Sequence, residues 1–147
     1  MRLPRSSRIL FLVTAIGMPV GAHLADVSET HIYNPRWPPH ARVHTGQTLM
    51  MSILLGVMTV WLSWRDSVDR RTSVLAAAGF ASLYWLSQGL AIVYPATAFF
   101  DPEFDVASNY LFGLPGQLPF EVGFLAITAV AAWLALRGGP GRVNASY

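Results

Sequence analysis

Four long apolar runs divide the chain and give it the pattern of a membrane protein. They cover about 9–25, 48–64, 74–94 and 120–136. Each run has roughly 17 to 21 residues, about enough for a helix to cross a hydrocarbon layer about 30 Å thick. The apolar residues are continuous rather than alternating, which favours helices over strands. The pattern therefore predicts an all-α fold, an integral membrane four-helix bundle in which residues 1–147 form a single domain.

The composition indicates that the bilayer is the surrounding solvent. Hydrophobic residues make up 53% of the chain and charged residues only 12%, with a mean hydropathy of +0.42. A soluble domain usually carries about 25% charged residues. Cysteine is absent, which excludes disulfides, thiolate nucleophiles and cysteine-ligated metals. The basic residues form no dense patch, so we expect the lipid bilayer, and no nucleic acid, as a partner.

The arginines predict the orientation of the four runs. Most of them precede the first run, separate the second from the third, or follow the fourth: Arg2, Arg5, Arg8, Arg65, Arg70, Arg71, Arg137 and Arg142. Only Arg36 and Arg42 lie on the other side, so positive-inside bias predicts a multi-pass protein with both termini in the cytoplasm. The histidine-containing loop and the acidic loop of Asp101, Glu103 and Asp105 are then expected to meet on the opposite side. The first run also resembles a signal peptide. However, His23 stands where cleavage needs a small residue, so we expect a membrane span there.

Residues 23–47 hold every histidine of the chain, together with several carboxylates and amides. Titratable groups at the mouth of a membrane-embedded protein are expensive to keep there, which favours a functional site. His40, His44 and Gln47 follow i, i+4, i+7 spacing and share one face of the predicted second helix. Two histidines one turn apart can bind one metal or act as acid and base. Alternatively, they are interfacial histidines that tolerate water.

Carboxylates provide the other candidate groups. A carboxylate near a histidine orients it and raises its basicity, and His31 closely follows Asp26 and Glu29. Glu121 lies early in the fourth run among apolar neighbours and is expected to face the bundle interior, level with the histidines. The alternatives are a solvated loop for the first two carboxylates and a helix-end role for Glu121. The predicted catalytic residues are Asp26, Glu29, His31, His40, His44 and Glu121.

Amides and aromatic residues are candidates for substrate binding. Asn34 and Gln47 are expected to position a substrate oxygen. Tyr84 and Gln88, one turn apart in the third run, add polar groups to the same site, although polar residues also hold membrane helices together. Trp37 lies in a proline-rich turn that is rigid because each proline fixes its own φ.

Two segments carry a resemblance to a known family. Residues 29–48 read ETHIYNPRWPPHARVHTGQT, and residues 94–104 read YPATAFFDPEF. The first resembles the signature ETHxxNPxWPPHAxFHxxQT of a small family of four-span membrane proteins of unknown function, and the second resembles a run that follows it. Val43 replaces the usual phenylalanine. The resemblance implies a four-helix fold and a single site formed by the matched polar residues. It implies no reaction.

Three functions fit these observations. The first is a membrane enzyme without a cofactor, which isomerises or cyclises a small lipophilic substrate or opens an epoxide by acid–base chemistry. The second is a zinc or iron hydrolase or oxidase with His31, His40, His44 and Glu29 as ligands. The third is a non-enzymatic membrane subunit or ligand-binding protein. A nucleotide-binding glycine loop and a serine elbow are both absent, which argues against redox-cofactor and acyl-transfer chemistry. Of the three functions, we expect the first.

Overall fold

The computed structural model describes residues 2–137 and contains four long helices. They are α1 (Arg5–Asp26), α2 (Pro39–Trp64), α3 (Arg70–Leu90) and α4 (Gln117–Arg137). By length and composition, all four are able to cross a membrane. The chain is mostly helical, as the apolar runs predict, and has the four candidate spans of a multi-pass membrane protein. Arg142 lies outside the described residues.

Short elements connect α3 to α4. One 3₁₀ turn, Ala91–Val93, continues from α3, and a second, Ala107–Asn109, precedes two short strands. Strand β1 (Tyr110–Leu111) pairs antiparallel with β2 (Leu114–Pro115). Gly113 in the turn between them has a φ of 77°, a conformation that glycine adopts without strain. This hairpin departs from a purely helical fold because the glycine- and proline-rich approach to α4 favours a turn.

The four helices form a closed ring. Each helix packs against the next in sequence, and α4 returns to pack against α1. Helix contacts are closest at small residues. A Cβ atom at Gly56 of α2 would lie 2.5 Å from the backbone oxygen of Ala15 in α1, and one at Gly17 would overlap the ring of Phe124 in α4. Small residues at such crossings are typical of membrane helices, whose association depends on close backbone packing.

Serine and threonine fill much of the interior, and their hydroxyl groups bond to helix carbonyls. The Ser7 hydroxyl donates to the Ala131 oxygen at 2.8 Å and so joins α1 to α4. Thr59 and Ser63 donate to carbonyls one turn earlier in α2. Large apolar side chains instead cover the outer surface of the bundle, such as Ile16, Val20, Met50, Leu54, Val57, Leu75, Leu83 and Val130. This distribution suits a protein whose outer surface faces lipid.

One end of the bundle carries arginines over tryptophan rings. The guanidinium groups of Arg8 and Arg65 lie 4.7 Å and 4.6 Å from the ring centres of Trp64 and Trp61. Arginine and tryptophan both favour the membrane interface, so this end is a candidate boundary of the hydrocarbon layer. The opposite end carries the histidine-containing loop and the acidic loop.

Asp69 caps the start of α3 at this arginine-rich end. Its carboxylate accepts a hydrogen bond from the Thr72 backbone N–H at 3.0 Å. The hydrogen bonds from Thr72 lower the pKa of Asp69 below its ordinary value of 3.8. A carboxyl whose folded-state pKa is lowered stabilises the fold above its unfolded pKa, and this contribution disappears as the pH falls through the folded pKa.

Replacing Asp69 with alanine should therefore have a pH-dependent effect. At pH 7 the wild-type chain should melt at a higher temperature than Asp69→Ala, because only the ionised carboxylate caps α3 fully. The difference should shrink as the pH falls below about 4, where the aspartate is protonated in the unfolded chain and then in the folded chain. Thermal melting of both proteins in detergent at several pH values measures this. A difference that stayed constant with pH would contradict the capping role.

Ion pairs join the two loops at the opposite end. Arg36, in the loop between α1 and α2, pairs with Glu103 and lies 3.9 Å from Asp101, both in the loop after α3. The two polar loops therefore meet, as the predicted topology requires. Arg42, near the start of α2, bonds instead to a backbone group: its guanidinium donates to the Asn34 backbone oxygen at 2.8 Å.

Candidate functional site

Glu121 is buried at the loop end of the bundle, in the second turn of α4. The residue is only 4% exposed. Its Oε2 faces α3 so closely that a Cβ atom at Gly89 would lie 2.6 Å away. Only glycine leaves room there for the carboxylate. Glu121 thus faces the helix bundle rather than lipid, as its position in an apolar run predicts.

Three buried polar atoms near the contact of α3 with α4 have no hydrogen-bond partner within the described residues. They are Oε1 of Glu121, Oε1 of Gln88 and the indole Nε1 of Trp85. Gln88 and Trp85 lie three residues apart, on one face of α3. The Trp85 ring stacks on Phe124, with ring centres 4.6 Å apart, and Phe124 lies three residues after Glu121. Unsatisfied buried polar atoms are rare in proteins because each one lowers stability, so this group of three is a candidate ligand site.

Tyr84 links these residues to α1. Its side chain is buried, meets Trp85 edge to face and packs in one cluster with Met18 and Ala22 of α1. Asp26 is the last residue of α1 and its side chain is 20% exposed. We call Asp26, Tyr84, Trp85, Gln88 and Glu121 the inner polar cluster. It contains four of the predicted site residues and adds Trp85, which the sequence analysis did not single out.

His31 connects the inner polar cluster to the loop. Its Nδ1 lies 3.6 Å from Oδ1 of Asp26 and 2.8 Å from the Thr30 hydroxyl. Trp37 meets the His31 ring edge to face, with ring centres 4.9 Å apart. The imidazole is partly exposed, so it lies between the Asp26 carboxylate and the solvent. Trp37 therefore contacts the site through His31.

Asn34 organises the loop between α1 and α2. It is 2% exposed, and its Oδ1 accepts a hydrogen bond from the Arg36 backbone N–H at 3.0 Å. Its own backbone oxygen accepts from Trp37 and Arg42. These bonds give Asn34 a structural role in the turn, which is distinct from the predicted role of binding a substrate oxygen. Its Nδ2 has no partner among residues 2–137.

Glu29 lies apart from the inner polar cluster. Helix α1 ends at Asp26 because the hydroxyl groups of Ser28 and Thr30 bond to the Ala25 oxygen and compete with a further helical turn. Asp26 and Glu29 consequently do not share a helix face. Glu29 is exposed and lines an open surface depression of about 520 Å³ between the two loops. The structure thus divides the predicted carboxylates between an interior site and a surface.

His40, His44 and Gln47 share one face of α2, as predicted, but all three are exposed on the outside of the bundle. The two imidazoles contact each other, with Nε2 atoms 3.1 Å apart. His23, the remaining histidine, bonds through Nδ1 to the Pro19 oxygen at 2.7 Å, which is a local helix contact.

The four predicted metal ligands are not gathered at one point. Within residues 2–137, no group of three or more histidines and carboxylates has the geometry of a metal centre. His31 contacts Asp26, whereas His40 and His44 contact each other on the outer face of α2. A single zinc or iron centre made of His31, His40, His44 and Glu29 thus has no geometric support.

Gly89 offers a test of how closely Glu121 is held. In Gly89→Ala the new methyl group should displace the Glu121 carboxylate, because a Cβ there would lie 2.6 Å from Oε2. If Glu121 exchanges a proton with a substrate, activity should fall by about 100-fold, as follows from misplacing a reacting group by about 1 Å. The stability should change little because a carboxylate end moves easily. Gly79→Ala, in the same helix with open space around its Cβ position, is the control and should keep full activity.

Comparison with known proteins identifies the family to which the chain belongs. No curated protein and no solved structure matches the chain. Residues 10–115 match the family of unknown function DUF6640. This match includes α1 from residue 10 onwards, α2, α3, both polar loops and the histidines, but ends before α4 and Glu121. Since the match extends over most of the sequence, the chain belongs to the DUF6640 family.

Proposed function

We propose that this protein is an integral membrane enzyme that carries out acid–base chemistry on a small lipophilic substrate bearing an oxygen function. The observation that carries the proposal is Oε1 of Glu121, buried at the contact of α4 with α3 without a partner in the described part of the chain. A buried carboxyl that is left unpaired lowers stability. Its retention is explained if a substrate group pairs with it.

The neighbouring atoms restrict the chemistry of that substrate group. Gln88 Oε1 and Glu121 Oε1 accept hydrogen bonds, whereas Trp85 Nε1 only donates them. A substrate hydroxyl group can donate a hydrogen bond to one of the two oxygens and accept one from the indole N–H. An epoxide or carbonyl oxygen can accept a hydrogen bond from the indole N–H. The surrounding Phe124 and Met18 side chains suit a hydrocarbon skeleton.

Two carboxyl groups near one phenol suit proton transfer. One of Asp26 and Glu121 gives a proton to the substrate, and the other removes a proton from it. Tyr84 packs in one cluster with Ala22, which lies one turn before Asp26 in α1. The two carboxyl groups have then exchanged protonation states. One proton passes from the second carboxyl group back to the first through the Tyr84 hydroxyl, which accepts one proton as it gives up another, and both groups return to their starting state. Isomerisation and cyclisation conserve all atoms, and epoxide opening adds one water.

The proposal includes a membrane orientation. Positive-inside bias places the arginine-rich end of the bundle in the cytoplasm, together with both termini. The inner polar cluster and His31 then lie near the other surface of the membrane. Labelling of cysteines introduced singly at Ser67 and Thr97 tests the orientation: a membrane-impermeant reagent applied to intact cells should modify only the second. Modification of the first alone would reverse it.

A comparison of lipid extracts tests the reaction class. Cells lacking the gene should accumulate a lipophilic compound that is absent when the wild-type chain is expressed. The product should have the same mass as that compound or exceed it by one water. A product that differs by two hydrogens or by an acyl group would contradict acid–base chemistry, and identical extracts would favour the non-enzymatic alternative.

A further inference from the structure

The outer histidine pair, His40 and His44, lies outside the inner polar cluster and has no part in the reaction proposed above. Both residues are exposed, one turn apart, near the start of α2. Their ring centres are 4.6 Å apart, and the rings are nearly perpendicular, at 81°. This geometry brings the two Nε2 atoms together beside the helix, where they lie 3.1 Å apart.

The separation of the two Nε2 atoms equals that of two ligands of one metal ion. With metal–nitrogen bonds of about 2.0–2.1 Å, two imidazole nitrogens lie about 2.9 Å apart at a right angle and about 3.4 Å apart at a tetrahedral angle. The observed 3.1 Å falls between these limits. This separation allows both nitrogens to bind the same ion without a change in the backbone of α2.

Gln47 supports the form of His44 that binds a metal. Its Oε1 lies 3.4 Å from Nδ1 of His44 and accepts the hydrogen bond when that nitrogen carries the proton. The Nε2 of His44 then has a free lone pair. Histidine ligands in metal sites commonly donate their second N–H to an oxygen in this way, which sets the tautomer and orients the ring.

We propose that His40 and His44 form a binding site for a divalent transition-metal ion on the outer face of α2, with Gln47 as a positioning residue. Neutral imidazoles favour copper, nickel and zinc. Since the pair is exposed, water or another external ligand fills the remaining coordination positions. In the metal-free chain one Nε2–H donates to the other Nε2. On binding, His40 shifts its proton to Nδ1, so both Nε2 atoms coordinate and no proton is lost overall.

Cu²⁺ binding to the full chain tests this proposal. The protein is purified without a polyhistidine tag, reconstituted in lipid nanodiscs and titrated with Cu²⁺, and the electron paramagnetic resonance spectrum is recorded. We expect a saturable signal with hyperfine splitting from two equivalent nitrogens. His40→Ala and His44→Ala should each weaken binding by more than about 100-fold, and Gln47→Ala by about tenfold, as is typical of residues that orient ligands.

Two variants serve as controls. His23→Ala removes a histidine that bonds within α1 and should leave Cu²⁺ binding unchanged. Glu121→Gln should also bind Cu²⁺ normally, so a failure of the metal site and a failure of the proposed enzyme are distinguishable. Wild-type spectra without nitrogen splitting, or binding that survives both His40→Ala and His44→Ala, would show that the outer histidine pair is not a metal site.

Discussion

Glu121→Gln should lower the conversion of the native substrate by about 100- to 10,000-fold, the range that a positioned acid or base contributes. Glutamine has nearly the same size as glutamate and fits beside Gly89, so the variant should fold and insert normally. It cannot give or take a proton at this position. The effect should therefore fall on turnover, while the protein level in the membrane stays the same.

The measurement is the rate at which membranes with each variant convert the compound that accumulates in cells lacking the gene. Asp66→Asn is the matched control, because it makes the same change of carboxylate to amide at the arginine-rich end, where Asp66 is exposed and pairs with Arg2. That variant should act like the wild type. A Glu121→Gln protein with normal conversion would remove Glu121 from the reaction.

Gly56→Ala should destabilise the bundle by about 1–3 kcal/mol, the usual effect of adding a methyl group to a packed interior. The new Cβ atom would lie 2.5 Å from the backbone oxygen of Ala15. Since backbone cannot rotate away as a side chain does, α1 and α2 must separate. The loss should also spread to other helix contacts, because α1 packs against both α2 and α4.

Gly46→Ala is the matched control within the same helix. No atom lies within 4 Å of its Cβ position, and alanine is the better helix former by about 1 kcal/mol. This variant should be as stable as the wild type or more so. Thermal unfolding of the wild type, Gly56→Ala and Gly46→Ala in one detergent gives the order of their melting temperatures. Equal melting temperatures for Gly56→Ala and the wild type would contradict the close packing of α1 on α2.

The apolar runs predicted the helices well because a membrane span must be continuous and about 20 residues long. The observed helices extend beyond the runs, as at Arg5 and Pro39, because long polar side chains reach the interface from within a helix. Hydropathy alone does not include those turns. The ion pairs of Arg36 similarly agree with the predicted meeting of the two loops.

The candidate site was only partly predictable. Periodicity placed His40 and His44 on one face of α2, but spacing within a helix does not tell which way that face points. Glu121 was identified because a carboxylate in an apolar run needs an interior partner. Trp85 and Gly89 were missed since tryptophan and glycine are ordinary in membrane helices. Their importance depends on the packing of α3 against α4.

Reaction with carbodiimides tests the central claim, that Glu121 lies in a sheltered site open to lipophilic molecules. The chain in membranes is treated with a lipophilic or with a water-soluble carbodiimide, and the modified residues are identified by peptide mass spectrometry. The account predicts that the lipophilic reagent modifies Glu121 and that the water-soluble one modifies the exposed Glu29 but spares Glu121. If both reagents modified Glu121 equally, or neither did, the proposed site would be wrong.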